Sequence, residues 1–213
     1  MNNSALRVEL LLTGNEIMSG DTVDSNSAMI AQHLNELAVT VYRKVTVGDD
    51  VELLTREMAA SAANADVLIV NGGLGPTIDD LTAQILATVA GVPLAEHADA
   101  VAHLQRWCGD RNLQLNAANM KQAMLPASAK IIDNPIGSAV GFECNVGNCR
   151  IICTPGVPSE LRPMLDIIVG SLADDLEQPA ERNIMRLQTF GLGESTAQQI
   201  ISDAVPDWPP EVG

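Results

Sequence analysis

Aromatic side chains are nearly absent from this chain: two Trp, one Tyr and two Phe make up 2% of its 213 residues. Proteins that hold RNA or single-stranded DNA by stacking bases on exposed rings need more, which argues against that class. Positive charge is scarce too, with 12 Lys and Arg against 27 Asp and Glu and a formal net charge of −15. A surface so acidic repels nucleic-acid phosphates and anionic lipid, so neither nucleic acid nor membrane is an expected partner. A small anionic ligand stays open, because backbone amides and a cation can meet its charge. Apolar runs of membrane-spanning length are missing, as is an N-terminal basic segment followed by an apolar stretch and cleavage site. A cytoplasmic location is therefore expected.

Cysteine is sparse. Cys108, Cys144, Cys149 and Cys153 lack the Cys-x₂-Cys spacing of a zinc knuckle. Cys149 and Cys153 alternate with Ile151 in a strand pattern and read as small hydrophobes on one side of a sheet. His33, His97 and His103 are scattered on helical patterns and suit surface or packing roles.

The segment from Asp66 to Thr82 is the richest in chemistry. An aliphatic run, Val67 to Val70, meets Gly72, Gly73 and Gly75, then Pro76, then the adjacent carboxylates Asp79 and Asp80. Leu81, Ile85, Leu86 and Val89 follow at helical spacing, which predicts strand, tight loop, helix. Glycines let a backbone approach a ligand closely, and helix-start N–H groups favour phosphate. The acidic pair is the odd element, since carboxylates repel phosphate. A divalent cation between them resolves the conflict, hard oxygen ligands suiting Mg²⁺ or Mn²⁺. One Asp could equally do no more than cap the helix.

Strand and helix patterns alternate along the chain. A strand over Leu6–Leu12 runs into the loop Thr13-Gly14-Asn15-Glu16, followed by a helix from Asn26 to Leu37. A strand from Val39 to Val47 ends at Gly48-Asp49-Asp50, and a helix covers Val51 to Ala63. After the Leu81–Ala90 helix comes a helical region from Ala98 to Met124, interrupted near Gly109. A hairpin of Gly141–Val146 and Cys149–Cys153 turns at Gly147-Asn148. Thr154 to Ser159 is a second Gly/Pro loop, opening a helix that runs to Leu172. The fold class is α/β: a mostly parallel sheet with helices on both faces, formed by residues 1–173. Asp174 to Glu181 reads as a linker. It precedes one strand, Ile184–Phe190, and one helix, Ser195–Ala204, too little to bury a core alone. The region 182–213 is thus expected to be the start of a second unit cut short at Pro206-Asp207-Trp208-Pro209-Pro210.

These loops resemble a family. Gly72-Gly73-Leu74-Gly75-Pro76-Thr77 with Asp79-Asp80-Leu81-Thr82 is similar to the signature of the CinA-type (competence/damage-inducible) proteins. Their wider relatives are the molybdopterin-binding domains of molybdenum-cofactor biosynthesis. Gly14-x-Glu16 through Asn26, Val47-Gly48-Asp49, Asn134-Pro135-x-Gly137-x-Ala139-x-Gly141-Phe142 and Pro155-Gly156-x-Pro158-Ser159-Glu160 agree with the same pattern, over residues 5 to 172. The resemblance implies a molybdopterin-binding-like domain with metal-dependent ADP-ribose pyrophosphatase activity, a divalent cation (Mg²⁺, Mn²⁺ or Co²⁺) and a homodimer. Gly191-Leu192-Gly193-Glu194-Ser195 looks like the beginning of a KH-like region, without the basic Gly-x-x-Gly loop of RNA-binding forms. The deamidase domain that follows in many members is not expected in these 213 residues. Asn15 stands where relatives usually carry Asp or Thr, and its uncharged amide would weaken a metal or phosphate contact there.

On this reading Asp80 and Asp79 hold the metal, and Asp80, Asp79 and Asp49 are the catalytic candidates. Gly14, Glu16, Gly72, Gly73, Gly75, Thr77, Gly156 and Ser159 are the candidates for nucleotide and phosphate binding. Ligands of open α/β sheets gather at the carboxyl ends of strands, where Asp49 and Glu16 fall. Glu16 and Asp49 as solvated loop charges, and Ser159 as a plain N-cap, stay open. So do adenylyl transfer to molybdopterin and a catalytically inactive nucleotide-binding scaffold.

Overall fold

A computed structural model of the chain describes residues 6–176 and 188–205. The chain divides into two compact units, Met1–Arg182 and Asn183–Gly213.

The first unit is built on a six-stranded sheet in the order β2-β1-β3-β8-β7-β6. Its strands are β1 (Val8–Thr13), β2 (Val41–Val47), β3 (Val67–Asn71), β6 (Lys130–Ile132), β7 (Gly141–Val146) and β8 (Cys149–Thr154). β2, β1, β3 and β8 run parallel, whereas β8–β7 and β7–β6 pair antiparallel. The sheet is therefore mixed, with its parallel part on the side that carries the Gly-rich loops. β3 lies inside the sheet between β1 and β8, and every one of its residues is buried.

Period-two alternation in β3 divides the core. Leu68 and Val70 join one cluster, with Leu54 and Met58 of α3 (Val51–Asn64) and Ile85 and Leu86 of α4 (Thr82–Ala90). Val67 and Ile69 join the other, with Ile30 and Leu34 of α2 (Asn26–Glu36) and Leu161, Leu165 and Ile168 of α7 (Pro158–Asp175). Helices thus cover both faces, as a strand buried on both sides requires. The four cysteines are buried and unpaired; Cys144, Cys149 and Cys153 pack in the first cluster, and burial pushes the Cys149 thiol up to about 11. Glu9 is a buried charge in β1, met by Ser61 Oγ at 2.7 Å and Arg43 at 3.2 Å.

Several expectations are corrected. Asn15–Ser19 is a short helix, α1, rather than loop. The single helical region over 98–124 is two helices, α5 (Ala98–Asp110) and α6 (Ala117–Lys121), and Met124 begins a strand. That strand, β5 (Met124–Pro126), pairs antiparallel with β4 (Leu94–Glu96), across nearly 30 residues of chain that local periodicity does not span. The polar stretch expected as a linker begins inside α7, and its positions from 177 on lie outside the described residues. Of the expected strand Ile184–Phe190, residues 184–187 lie outside the described residues and 188–190 are not strand; 206–213 also lie outside them. The second unit, taken by itself, contains the helix α8 (Glu194–Ala204), with Ile200 and Ile201 exposed.

Candidate functional site

The carboxyl ends of β1, β2, β3 and β8 open on a cavity of about 530 Å³, within the range of small-molecule sites. Two glycines show how tightly its floor is drawn. Gly72 has φ +110°, and a Cβ there would stand 2.5 Å from the Thr13 carbonyl oxygen. Its N–H donates to Thr154 O at 3.0 Å, so β1, β3 and β8 meet at this residue. A Cβ on Gly75 would stand 2.6 Å from Asp80 Oδ2. The Gly73, Leu74 and Gly75 N–H groups make no hydrogen bond among the described residues and stand at the cavity wall.

Asp80 folds back on its own loop. Its Oδ2 accepts from the Thr77 N–H at 2.8 Å and from the Thr77 hydroxyl. It does not cap α4; Leu81 is the N-cap residue, and no side chain bonds there. Thr82, at the first turn and buried, instead donates its hydroxyl to Gly72 O at 2.8 Å. The Thr77 hydroxyl, the residue's own backbone N–H and the Lys121 ammonium hold the exposed Asp79 carboxyl below the usual range. Lys121 also donates to Thr77 O.

The pair Asp49–Asp50 divides its labour. Asp50 caps α3 by accepting from Leu53 N at 2.8 Å. Asp49 turns to the cavity, where Oδ1 accepts the Thr13 hydroxyl at 2.7 Å and Oδ2 accepts Asn15 N–H at 3.0 Å. Asn15 Oδ1 returns a bond from Asp49 N–H at 3.1 Å, so this amide joins two strand ends.

Of the sequence-based candidates, Gly14, Glu16, Asp49, Gly72, Gly73, Gly75, Asp79, Asp80 and Gly156 line the cavity. Thr77 and Ser159 do not. Thr77 acts through Asp80, and Ser159 is exposed in the first turn of α7, whose N-cap is Val157. Glu160 lines the cavity in place of Ser159.

Sequence reasoning missed a group of buried amides. Asn71 Nδ2 donates to Thr154 Oγ1 at 3.1 Å and Pro155 O at 2.8 Å, and its Oδ1 accepts from Asn26 Nδ2 at 2.9 Å. Asn26 Nδ2 also donates to Gly156 O at 2.7 Å, while its buried Oδ1 has no hydrogen-bond partner. Asn134 donates to Ala139 O at 2.7 Å and Glu160 Oε2 at 2.8 Å, and accepts from Ile136 and Gly137 N–H. That explains the Asn134–Gly137–Ala139 motif as a loop organiser. The available signal was Asn at element ends, closing β3, opening α2 and just past β6, where an amide can satisfy backbone groups that leave the ladder.

The lining includes six carboxylates, Glu16, Asp24, Asp49, Asp79, Asp80 and Glu160, and no Lys or Arg among the described residues. Burial alone would raise the Asp24 carboxyl, but the Ser27 hydroxyl and N–H and Lys44 outweigh it and hold it below the usual range. A phosphate ligand would need a cation in such a field. Among the described residues no three His, Cys, Asp or Glu are grouped to hold a metal by themselves. Mg²⁺-type sites commonly use one or two carboxylates with substrate oxygens and water, and the Asp79–Asp80 pair fits that donor set.

Known proteins agree with this architecture. The sequence profile described as "Probable molybdopterin binding domain" matches residues 9–174. A CinA-like protein of Colwellia psychrerythraea is 53% identical over 97% of this chain and 48% of its own length. A Shewanella oneidensis protein named nicotinamide-nucleotide amidohydrolase PncC is 38% identical over 90% of this chain and 45% of its own. The chain thus spans about half the length of the curated relatives it matches. The crystal structure of a CinA protein with unknown function from Thermoplasma acidophilum superposes with a TM-score of 0.72 at 32% identity, covering 78% of this chain and 98% of that one.

Proposed function

This chain belongs to the CinA-type family, through a domain of the molybdopterin-binding type, and from that premise we propose that it is a nucleotide-directed hydrolase. Its reaction is the metal-dependent cleavage of the pyrophosphate bond of ADP-ribose or a related nucleotide sugar, giving AMP and ribose 5-phosphate. The observation that carries this reading is one cavity that joins unpaired loop N–H groups to an adjacent acidic pair at parallel strand ends. Pyrophosphate cleavage needs donors on the phosphoryl oxygens, charge neutralisation and a positioned water. The Gly73–Gly75 N–H groups supply the donors. Asp79 and Asp80 would hold a divalent cation, which would supply the neutralisation. Asp80 has one oxygen committed to Thr77, and the other orients the attacking water and takes its proton. The water oxygen bonds to phosphorus, the bridging P–O bond breaks, and the departing phosphate keeps the bridging oxygen. Asp49 fixes the Thr13–Asn15 rim in position. The protein is proposed to act as a homodimer in the cytoplasm; a purely monomeric mass in light scattering at micromolar concentration would refute the dimer.

Incubation with ADP-ribose and Mg²⁺, Mn²⁺ or Co²⁺ should release AMP and ribose 5-phosphate in equal amounts, and chelation should stop the release. No product with any of the three ions would overturn the hydrolase. The molybdopterin-type profile favours adenylyl transfer as the second reading. That activity would appear as pyrophosphate release from ATP only when molybdopterin is added.

A further inference from the structure

Behind the Gly-rich loop lies a second cavity of about 50 Å³. Gly73, Leu74, Gly75, Asp80 and Gln122 line both spaces, so the loop and Gln122 form the wall between them. Beyond that wall the small cavity is lined by the apolar Leu94, Met124, Leu125, Val140 and Phe142, with Gln84 and Lys121 as its polar members. Gln122 closes α6 and is 7% exposed. Its Nε2 donates to Leu74 O at 3.3 Å, which commits the donor half of the amide; Oε1 is buried and has no hydrogen-bond partner. An unpaired buried acceptor is a standing cost that a donor would relieve. The terminal torsion of Gln is soft, so a small turn presents Oε1 to either space.

We propose that this small cavity is a subsite for the amine-bearing edge of a nucleobase, with Gln122 Oε1 accepting from the exocyclic N–H. The inference rests on the nucleotide reading of the main cavity and deepens it. Size limits the occupant: a water needs about 10–15 Å³ of such space, so 50 Å³ admits a few heavy atoms, the edge of a ring rather than a whole bicyclic base. Chemistry limits it further. Oε1 is an acceptor and takes an N–H donor, and an aromatic amine brings one beside an apolar ring edge that suits Leu94, Met124 and Phe142. The expected preference is therefore for adenine over hypoxanthine, whose oxygen would meet Oε1 acceptor to acceptor.

Calorimetric titration of the full chain with AMP, IMP and 2′-deoxyadenosine monophosphate, in the presence of Mg²⁺, tests this. AMP and its deoxy form should bind alike, and both about tenfold or more tighter than IMP. Gln122→Met should erase the difference between AMP and IMP by lowering AMP affinity without weakening IMP, whereas a residue that merely supports Leu74 would weaken both equally. Equal binding of AMP and IMP by the unaltered protein would overturn the proposal without recourse to any variant, and so would a loss confined to the deoxy ligand. Turnover separates the two readings. A preference for AMP without ADP-ribose hydrolysis removes the hydrolase and keeps the subsite. Equal kcat/KM for ADP-ribose and its hypoxanthine counterpart removes the subsite and keeps the hydrolase. Failure of all three ligands to bind, together with no ADP-ribose hydrolysis, removes both.

Discussion

A methyl group on Gly75 would stand 2.6 Å from Asp80 Oδ2, so the glycine and the carboxylate are one unit. Gly75→Ala must push Asp80 off Thr77, and metal-dependent turnover should fall while the thermal midpoint hardly moves, because the loop there is partly exposed. Asp80→Asn tests the charge itself. Asn can still accept from Thr77, so folding should be kept, while turnover should drop on the order of a hundredfold, the scale of losing a preorganised electrostatic contact. Full activity in Asp80→Asn would end the catalytic claim and move the weight to Asp79. Sequence reasoning left a capping role open for one Asp of the Asp79–Asp80 pair and gave Asp50 none. The structure separates them: Asp50 caps its helix, whereas neither Asp79 nor Asp80 does. Dipeptide composition could not tell these apart, because the choice depends on where the preceding strand releases the chain.

At the scale of elements, the loop between β6 and β7 depends on one side chain. Asn134 is fully buried and makes four hydrogen bonds, two of them to the loop's own N–H groups and one to Glu160 at the start of α7. Asn134→Ala leaves several buried polar groups unpaired, at about 1–3 kcal/mol each before relaxation or water entry. A net loss of about 3 kcal/mol would lower the thermal midpoint by roughly 6–12 °C in a domain of this size. An unchanged midpoint would show that water replaces the amide fully. The long, strongly patterned elements were legible in advance: β1, β2, β3, the β7–β8 hairpin and helices α2, α3, α4 and α7 lie close to where periodicity puts them. β4, β5 and β6 were not, since a strand of three residues has no period to read.

For the molecule as a whole, acid should be the effective denaturant. Hydrogen bonding to Arg43 holds the Glu57 carboxyl below its ordinary value, and Ser27 and Lys44 do the same for Asp24 against the effect of burial. Carboxyls depressed in the folded state add stability above their unfolded pKa and lose it as pH falls through the folded one. The thermal midpoint should therefore hold down to about pH 4.5 and decline below it. The net charge also vanishes near pH 4.3, so solubility should be lowest in the same range. A midpoint that stays level from about pH 5 to pH 3 would show that these pairs contribute nothing to folding.

The sequence by itself determined the α/β class, the strand–loop–helix at Asp66–Thr82 and the family, because those follow from local periodicity and from residues adjacent in the chain. It also supplied nine residues of the cavity's lining, since glycines and carboxylates directly after parallel strands gather at the sheet's carboxyl edge. Tertiary structure decided the rest. The Asn26–Asn71–Gly156 bridge and the Gln122 wall join residues tens of positions apart. Such contacts are fixed by which backbone groups remain unpaired once the sheet has formed, and a linear pattern carries no record of them.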